Sequence, residues 1–275
     1  GGAGNDTIAV TGFSLRGDLI DGGSGNDTLS ILGGGSVDLN KAGSISRIEH
    51  VQVGDDATTL TLNDSGMTVD AGGNSGTIIL DGLGDDDITL GEAGQSVFTS
   101  FGYDVVHATA GTLFDGSTGS VLSGNDYSTL ALSGGGSVDF ATFSISGFDT
   151  VLLDNATYAV DMSSYGEEYV SVEMGNGNSS LITGEGYYDI TGGVAGNTVD
   201  MSGSYDSSSF VSAGAGIDNV TMNFGQTALL AGGDDNVTIA FGGTYNSGDV
   251  GLLNVGSGSD ALNLIADLGC NYVQM

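Results

Sequence analysis

Residues 22–30 read Gly-Gly-Ser-Gly-Asn-Asp-Thr-Leu-Ser and fit the nonapeptide G-G-x-G-x-D-x-U-x, in which U is a large apolar residue, at every specified position. Residues 1–9 read Gly-Gly-Ala-Gly-Asn-Asp-Thr-Ile-Ala and fit it equally well. Between the two copies, residues 13–21 keep the phase and place Asp18 in the aspartate position. Such a repeat is typical of a glycine turn followed by a very short strand.

Weaker copies of the nonapeptide recur along the chain. They lie at residues 81–89, 213–221, 231–237 and 255–263, with Asp86, Asp218, Asp235 and Asp260 in the aspartate position. Consecutive copies at 174–182 and 183–191 carry Ser179 and Tyr188 there. We therefore expect turns without metal at these last two copies.

Short strands dominate the rest of the pattern. They are rich in β-branched and apolar residues and are bounded by Gly, Asn and Asp turns, as at 28–32, 58–62, 77–80 and 237–240. Only residues 261–268 hint at a helical period. A spacing near nine residues predicts an all-β, right-handed parallel β-roll or β-helix, a solenoid in which each short strand stacks on the next coil.

A second, longer repeat sets the expected domain organisation. The pattern of residues 24–38 returns at 123–139, where two extra residues follow Asp126 and make a metal site there doubtful. We predict a β-roll unit at 1–100, a related unit with degenerate repeats at 101–203, and a third unit at 204–275. The chain opens inside a repeat, so we expect it to be a piece of a longer polypeptide.

The nonapeptide has the chemistry of a calcium site. Glycine permits the tight curl that turns backbone carbonyls inward, and aspartate adds a carboxylate to that ring of oxygens. Stacked loops then offer a cation two carboxylates and several carbonyls. We expect Asp6 and Asp27 on one edge, Asp18 on the other, and pairs of Asp218 with Asp235 and Asp235 with Asp260. The predicted ligands of several calcium ions are Asp6, Asp18, Asp27, Asp86, Asp218, Asp235 and Asp260, with Gly2, Gly4, Asn5, Gly23, Gly25 and Asn26.

Charge supports the same interpretation and excludes other classes. The 275 residues include 35 acidic and 3 basic ones, a formal net charge of −32. Repulsion between so many carboxylates predicts that the folded chain binds cations. The lack of a basic patch excludes a nucleic-acid partner. No apolar stretch is long enough to predict insertion into a membrane. Cys270 is the single cysteine, so an internal disulfide is excluded.

The two full nonapeptides resemble the hemolysin-type calcium-binding repeats of the repeats-in-toxin family. The stretches at 28–38 and 129–139 are similar to parts of S-layer proteins and large adhesins of the same secretion class. The resemblance implies calcium-triggered folding outside the cell, export by type I secretion and a place on the bacterial cell surface.

Three functional hypotheses follow. We favour a structural, non-enzymatic subunit that self-associates into a lattice or filament. The alternative is a calcium-binding module of a large secreted adhesin, or of a secreted enzyme whose catalytic domain lies elsewhere. Clustered tyrosines between 158 and 205 are compatible with a cell-surface polysaccharide as partner. His50 and His107 are not visibly clustered with a nucleophile, and we expect no catalytic site.

Overall fold

The computed structural model describes residues 1–11, 17–40, 44–113, 119–124, 127–167, 169–204, 206, 208–241 and 251–266. The chain forms two compact units. The first consists of Gly1–Ser133 with Thr142–Asp149, and the second of Gly134–Ala141 with Thr150–Met275. The three segments expected from the sequence stay a prediction.

Short parallel strands make up nearly all the regular structure. The strands up to residue 133 are β1 Thr7–Thr11, β2 Leu19–Asp21, β3 Thr28–Leu32, β4 Gly35–Asp38, β5 Ser44–Ser46, β6 His50–Val53, β7 Thr58–Thr61, β8 Thr68–Asp70, β9 Ile78–Leu80, β10 Asp87–Thr89, β11 Ser96–Phe98, β12 Val105–Thr109, β13 Val121–Ser123 and β14 Thr129–Ser133. A single helical turn, α1 Ala110–Leu113, follows β12 within the described ranges.

The later strands are equally short. They are β15 Gly136–Asp139, β16 Ile145–Ser146, β17 Thr150–Leu153, β18 Tyr158–Asp161, β19 Tyr169–Glu173, β20 Ser180–Ile182, β21 Tyr187–Thr191, β22 Thr198–Asp200, β23 Phe210–Ala213, β24 Asn219–Asn223, β25 Thr227–Leu230, β26 Asn236–Phe241, β27 Leu253–Asn254 and β28 Ala261–Ala266. The predicted all-β parallel solenoid is confirmed.

In the first unit, successive coils contribute one strand to each of two main sheets. One runs β1-β3-β6-β8-β10-β12-β14 and the other β4-β7-β9-β11-β13-β16, while β2 and β5 form a small third sheet. Pairing is in register from coil to coil, with Thr7 opposite Thr28 and Thr28 opposite His50. Each coil therefore places its turns directly above those of the coil before it.

The second unit repeats this arrangement. Its sheets run β17-β19-β21-β23-β25-β27 and β15-β18-β20-β22-β24-β26-β28. Asn219 pairs with Asn236, which in turn pairs with Ala261. The turns that precede β22, β24, β26 and β28 are therefore stacked as well.

Columns of aliphatic side chains form the core of each unit. In-register pairing stacks one inward residue of every coil on its counterpart in the next. In the first unit one column consists of Leu29, Val51, Val69, Ile88, Val106 and Leu130, all at most 1% exposed. This burial of apolar surface is the main stabilising contribution to the fold.

Two further expectations can be compared with the structure. The hint of a helix at 261–268 is wrong for its described part, because Ala261–Ala266 is strand β28 paired along its length with β26. Among the described residues, no helix is long and apolar enough to cross a membrane. Cys270 and Asp126 lie outside the described residues.

Close stacking leaves no room for side chains at some turn glycines, and this generates a test. Gly25 has a φ of +137°, and a Cβ there would lie 2.3 Å from the Gly4 carbonyl oxygen. We expect Gly25→Ala to lower the free energy of unfolding by about 1–3 kcal/mol or more, measured by denaturant unfolding in calcium.

Gly33 is the matched control. Its φ is also positive, +76°, but an added Cβ would meet no atom within 4 Å. Gly33→Ala should therefore cost only about 1 kcal/mol, the usual strain of that backbone conformation. Equal losses in the two variants would contradict the close approach of the first two glycine turns.

Candidate cation sites in the stacked turns

The first two glycine turns lie directly on one another. The Gly4 amide donates to the Ser24 carbonyl at 2.8 Å, and the Ser24 amide donates to the Gly2 carbonyl at 2.9 Å. Asn5 and Asn26 are tied by a bond from the Asn26 amide to Asn5 Oδ1, at 3.0 Å. These turns place successive aspartates in one column, each just ahead of a strand.

Within that column, Asp27 and Glu49 each accept a hydrogen bond from a backbone amide of the previous coil. The Asp6 amide donates to Asp27 Oδ1 at 2.7 Å, and the Asp27 amide donates to Glu49 Oε2 at 2.8 Å. Asp6 also accepts the Gly2 amide on Oδ2, at 2.6 Å. We call this coil-to-coil series of side-chain oxygens and turn amides the aspartate ladder.

The second unit carries its own aspartate ladder. The Asn197 amide donates to Asp218 Oδ1 at 2.7 Å, the Asp218 amide to Asp235 Oδ1 at 2.9 Å, and the Asp235 amide to Asp260 Oδ1 at 3.1 Å. Ser179 extends the series, since its Oγ accepts the Tyr158 amide at 3.1 Å. Serine and asparagine thus replace aspartate as acceptors in the coils where the nonapeptide is degenerate.

A third stretch of ladder contains a cluster of carboxylates. The Met67 amide donates to Asp86 Oδ1 at 2.7 Å, and the Asp86 amide donates to Asp104 Oδ1 at 3.0 Å. Asp81 lies across the same turn and accepts the Ser100 amide at 3.0 Å. One oxygen each from Asp81, Asp86 and Asp104 lies within 4.8 Å of the others, so this triad could hold a metal ion.

The ladder aspartates share an unusual deficiency. Five of them use one oxygen in the ladder, while the second oxygen is buried and has no hydrogen-bond partner within the described ranges. These oxygens are Asp27 Oδ2, Asp86 Oδ2, Asp104 Oδ2, Asp218 Oδ2 and Asp235 Oδ2, to which the triad adds Asp81 Oδ1. Buried carboxylates without a partner are costly, so these oxygens fit either a cation or a proton.

Basic side chains do not compensate these carboxylates. Arg47 is the one Lys or Arg within the described segments, and it pairs with Asp21 outside the ladder. Burial, together with neighbouring Asp81, raises the pKa of Asp86 to about 9 and that of Asp104 to about 7. Burial likewise raises the pKa of Asp218 to about 6.

Most sequence-predicted ligands are brought together as expected. Asp6 contacts Asp27 through the ladder, and Asp218, Asp235 and Asp260 follow one another in the other unit. Asp18 is different, because it is exposed at the start of β2 and makes no hydrogen bond with the ladder. Whether any of these residues binds a cation stays a prediction.

Sequence reasoning missed two members of the triad. Asp104 lies in a turn with a single glycine, Gly102, so it does not fit the nonapeptide. The shorter pattern Gly-x-Asp-x-apolar, ending at Val106, stands 18 residues after that of Asp86 and could have identified it. Asp81 occupies the first, normally glycine, position of its own copy, where a ligand was not expected.

No protein-family model matches the chain, and no curated protein matches it in sequence. The similarity to repeats-in-toxin proteins therefore stays an interpretation of the nonapeptides. Function is inferred from the nonapeptide motifs and the geometry of the stacked turns.

The raised pKa values predict how stability depends on pH without divalent cations. An aspartate in the unfolded chain ionises near pH 3.9, roughly. Between that pH and the folded pKa values of about 7 and 9, the folded state binds more protons. The preference of the folded state for the protonated aspartates therefore contributes fully to the free energy of unfolding below about pH 4. This contribution is lost as the pH rises from about 4 to about 9.

Asp86→Asn should reduce the dependence of the free energy of unfolding on pH, because the side-chain amide of asparagine does not ionise. The measurement is the free energy of denaturant unfolding of metal-free protein at several pH values, for wild type and variant. If the two proteins lose stability equally as the pH rises, Asp86 is not held protonated in the fold.

Proposed function

We propose that the chain is a non-catalytic, calcium-stabilised structural segment of a secreted bacterial surface protein. The observation that supports this best is the Asp81–Asp86–Asp104 triad, with three buried, unpartnered oxygens at the junction of two coils. A cation there neutralises carboxylates that otherwise repel one another. The ladders around Asp27 and Asp218 extend the same logic to both units.

The ligand set favours calcium over other ions. Carboxylate oxygens without nitrogen or sulfur donors select hard cations. Oxygens within 4.8 Å of one another surround a point at most about 2.8 Å from each (4.8 Å divided by √3), near the roughly 2.3–2.6 Å of calcium–oxygen bonds. Magnesium prefers shorter bonds and retains waters, which suits a buried site less well.

A surface on the first unit supports the self-assembly part of the proposal. The outer face of β9, β11 and β13 carries Leu80, Phe98 and Val121, each 36–38% exposed, with Ile78 beside them. This face is uncharged in a chain of net charge −32, so two copies can meet there with less repulsion. We propose that this apolar face joins copies of the chain in a lattice or filament.

Calcium titration tests the cation part of the proposal. We expect isothermal titration to detect calcium binding, and Asp104→Asn to weaken the affinity of the triad site by at least about tenfold, through loss of one of three carboxylates. Asp64→Asn is the matched control, since Asp64 is exposed on the turn one coil earlier. Wild-type affinity in Asp104→Asn would exclude the triad as a calcium site.

Assembly is tested separately, by light scattering and electron microscopy in millimolar calcium. Phe98→Asp introduces a charge into the apolar face and should abolish regular assemblies while leaving calcium uptake unchanged. Val194→Asp, at a 68% exposed position on a turn of the second unit, serves as the control and should still assemble. Assembly of Phe98→Asp equal to that of the control would refute this face as the contact between copies.

A further inference from the structure

A groove of about 580 Å³ lies on the outer face of the first unit. Its volume falls within the roughly 300–1,000 Å³ of typical ligand sites. Its lining residues come from five neighbouring strands and from the two glycine turns at one end. They are Asn5, Asp6, Thr7, Asn26, Thr28, His50, Val51, Gln52, Thr68, Val69, Asp70, Thr89, Leu90 and Gly91.

The floor of the groove consists of rows of hydrogen-bonding side chains. Thr28, His50 and Thr68 are partners in register on successive strands. Gln52 and Asp70 form a parallel row two residues further along their strands. In-register strands space each row by about 4.8 Å, so a ligand running along the coils meets a polar group at each step.

Several of these side chains are available for further hydrogen bonds with a ligand, and two of them are held in place by a neighbouring group. Asn26 Nδ2 lies 2.8 Å from His50 Nε2, and an amide nitrogen can only donate, so the neutral ring keeps its proton on Nδ1 as a donor. The side-chain amide of Gln52 has no hydrogen-bond partner among the described residues. Asp70 is fixed by the Gly72 amide, which donates to its Oδ1 at 3.0 Å.

Charge decides which ligands the groove can accept. Among the described residues, Asp6 and Asp70 line the groove and no Lys or Arg does, and the whole chain carries a formal net charge of −32. Phosphates and uronic acids are therefore repelled. The rows of side chains that donate and accept along the groove match a ligand whose hydroxyl groups do both.

We propose that this groove binds a neutral oligosaccharide or the neutral backbone of a polysaccharide. This binding activity goes beyond the proposed structural role and requires neither assembly of copies nor the Asp81–Asp86–Asp104 triad. His50 and Gln52 hold the sugar hydroxyls, and Asp70 accepts from them. A surface protein with such a groove can attach to a neutral glycan.

The experiment uses the calcium-loaded chain, with folding verified by circular dichroism. Cello-, chito- and manno-oligosaccharides serve as neutral probes and oligogalacturonate as the anionic probe. Isothermal titration calorimetry measures the affinity of each variant, and the NMR signals of the histidine rings locate the bound probe on the wild-type chain. We expect at least one neutral probe to shift the His50 signals and oligogalacturonate to shift none. His50→Ala should weaken that binding by about three- to tenfold, the loss of one hydrogen bond.

His107→Ala is the matched control. His107 lies on the same sheet, pairs with Asp87 at 3.1 Å and is outside the groove, so its variant should bind like wild type. The proposal is overturned if no neutral probe shifts His50, if His50→Ala binds as tightly as His107→Ala, or if oligogalacturonate alone binds. Such an outcome leaves calcium uptake and assembly untouched, since neither is measured in this assay.

Discussion

The structure depends on the bond that a turn amide donates to a side-chain oxygen one coil further on. Strand amides are satisfied by the parallel sheets, but the amide ahead of each strand needs another acceptor. A short side chain in the next coil provides it, as Asp27 does for Asp6 and Asp235 does for Asp218. Register, turn spacing and the preference for Asp, Asn or Ser at that position all follow from this bond.

The same bond leaves a second carboxylate oxygen that fits a cation or a proton. Asp27, Asp86, Asp104, Asp218 and Asp235 each give one oxygen to the ladder and bury the other without a hydrogen-bond partner among the described residues. Asparagine or serine avoids this, and Asn197 and Ser179 show that the ladder tolerates both. We propose that calcium binds the second oxygens of Asp86, Asp104, Asp218 and Asp235, which makes the stability of the fold depend on that ion.

Much of the fold was predictable because its repeat is local. Residues 28–32 were predicted as a strand and form β3 with the same bounds, since the glycine turn and apolar alternation specify both ends. The sequence suggested a helix at residues 261–266 because their apolar spacing also fits a helical period. Pairing with β26, which lies far away in sequence, makes this segment a strand. The triad was harder still. Asp81 reaches Asp104 through the stacking of two coils, which no nine-residue motif encodes.

Amide hydrogen exchange of the turn residues tests this account most directly. The amides of Met67, Asp86, Asn197 and Asp218 donate to buried carboxylates, so we predict slow exchange and further slowing when calcium is added. Exposed turn amides such as that of Asp64 should exchange quickly in both conditions. If the four ladder amides exchange as fast as Asp64, with or without calcium, the coils are not held together in this way.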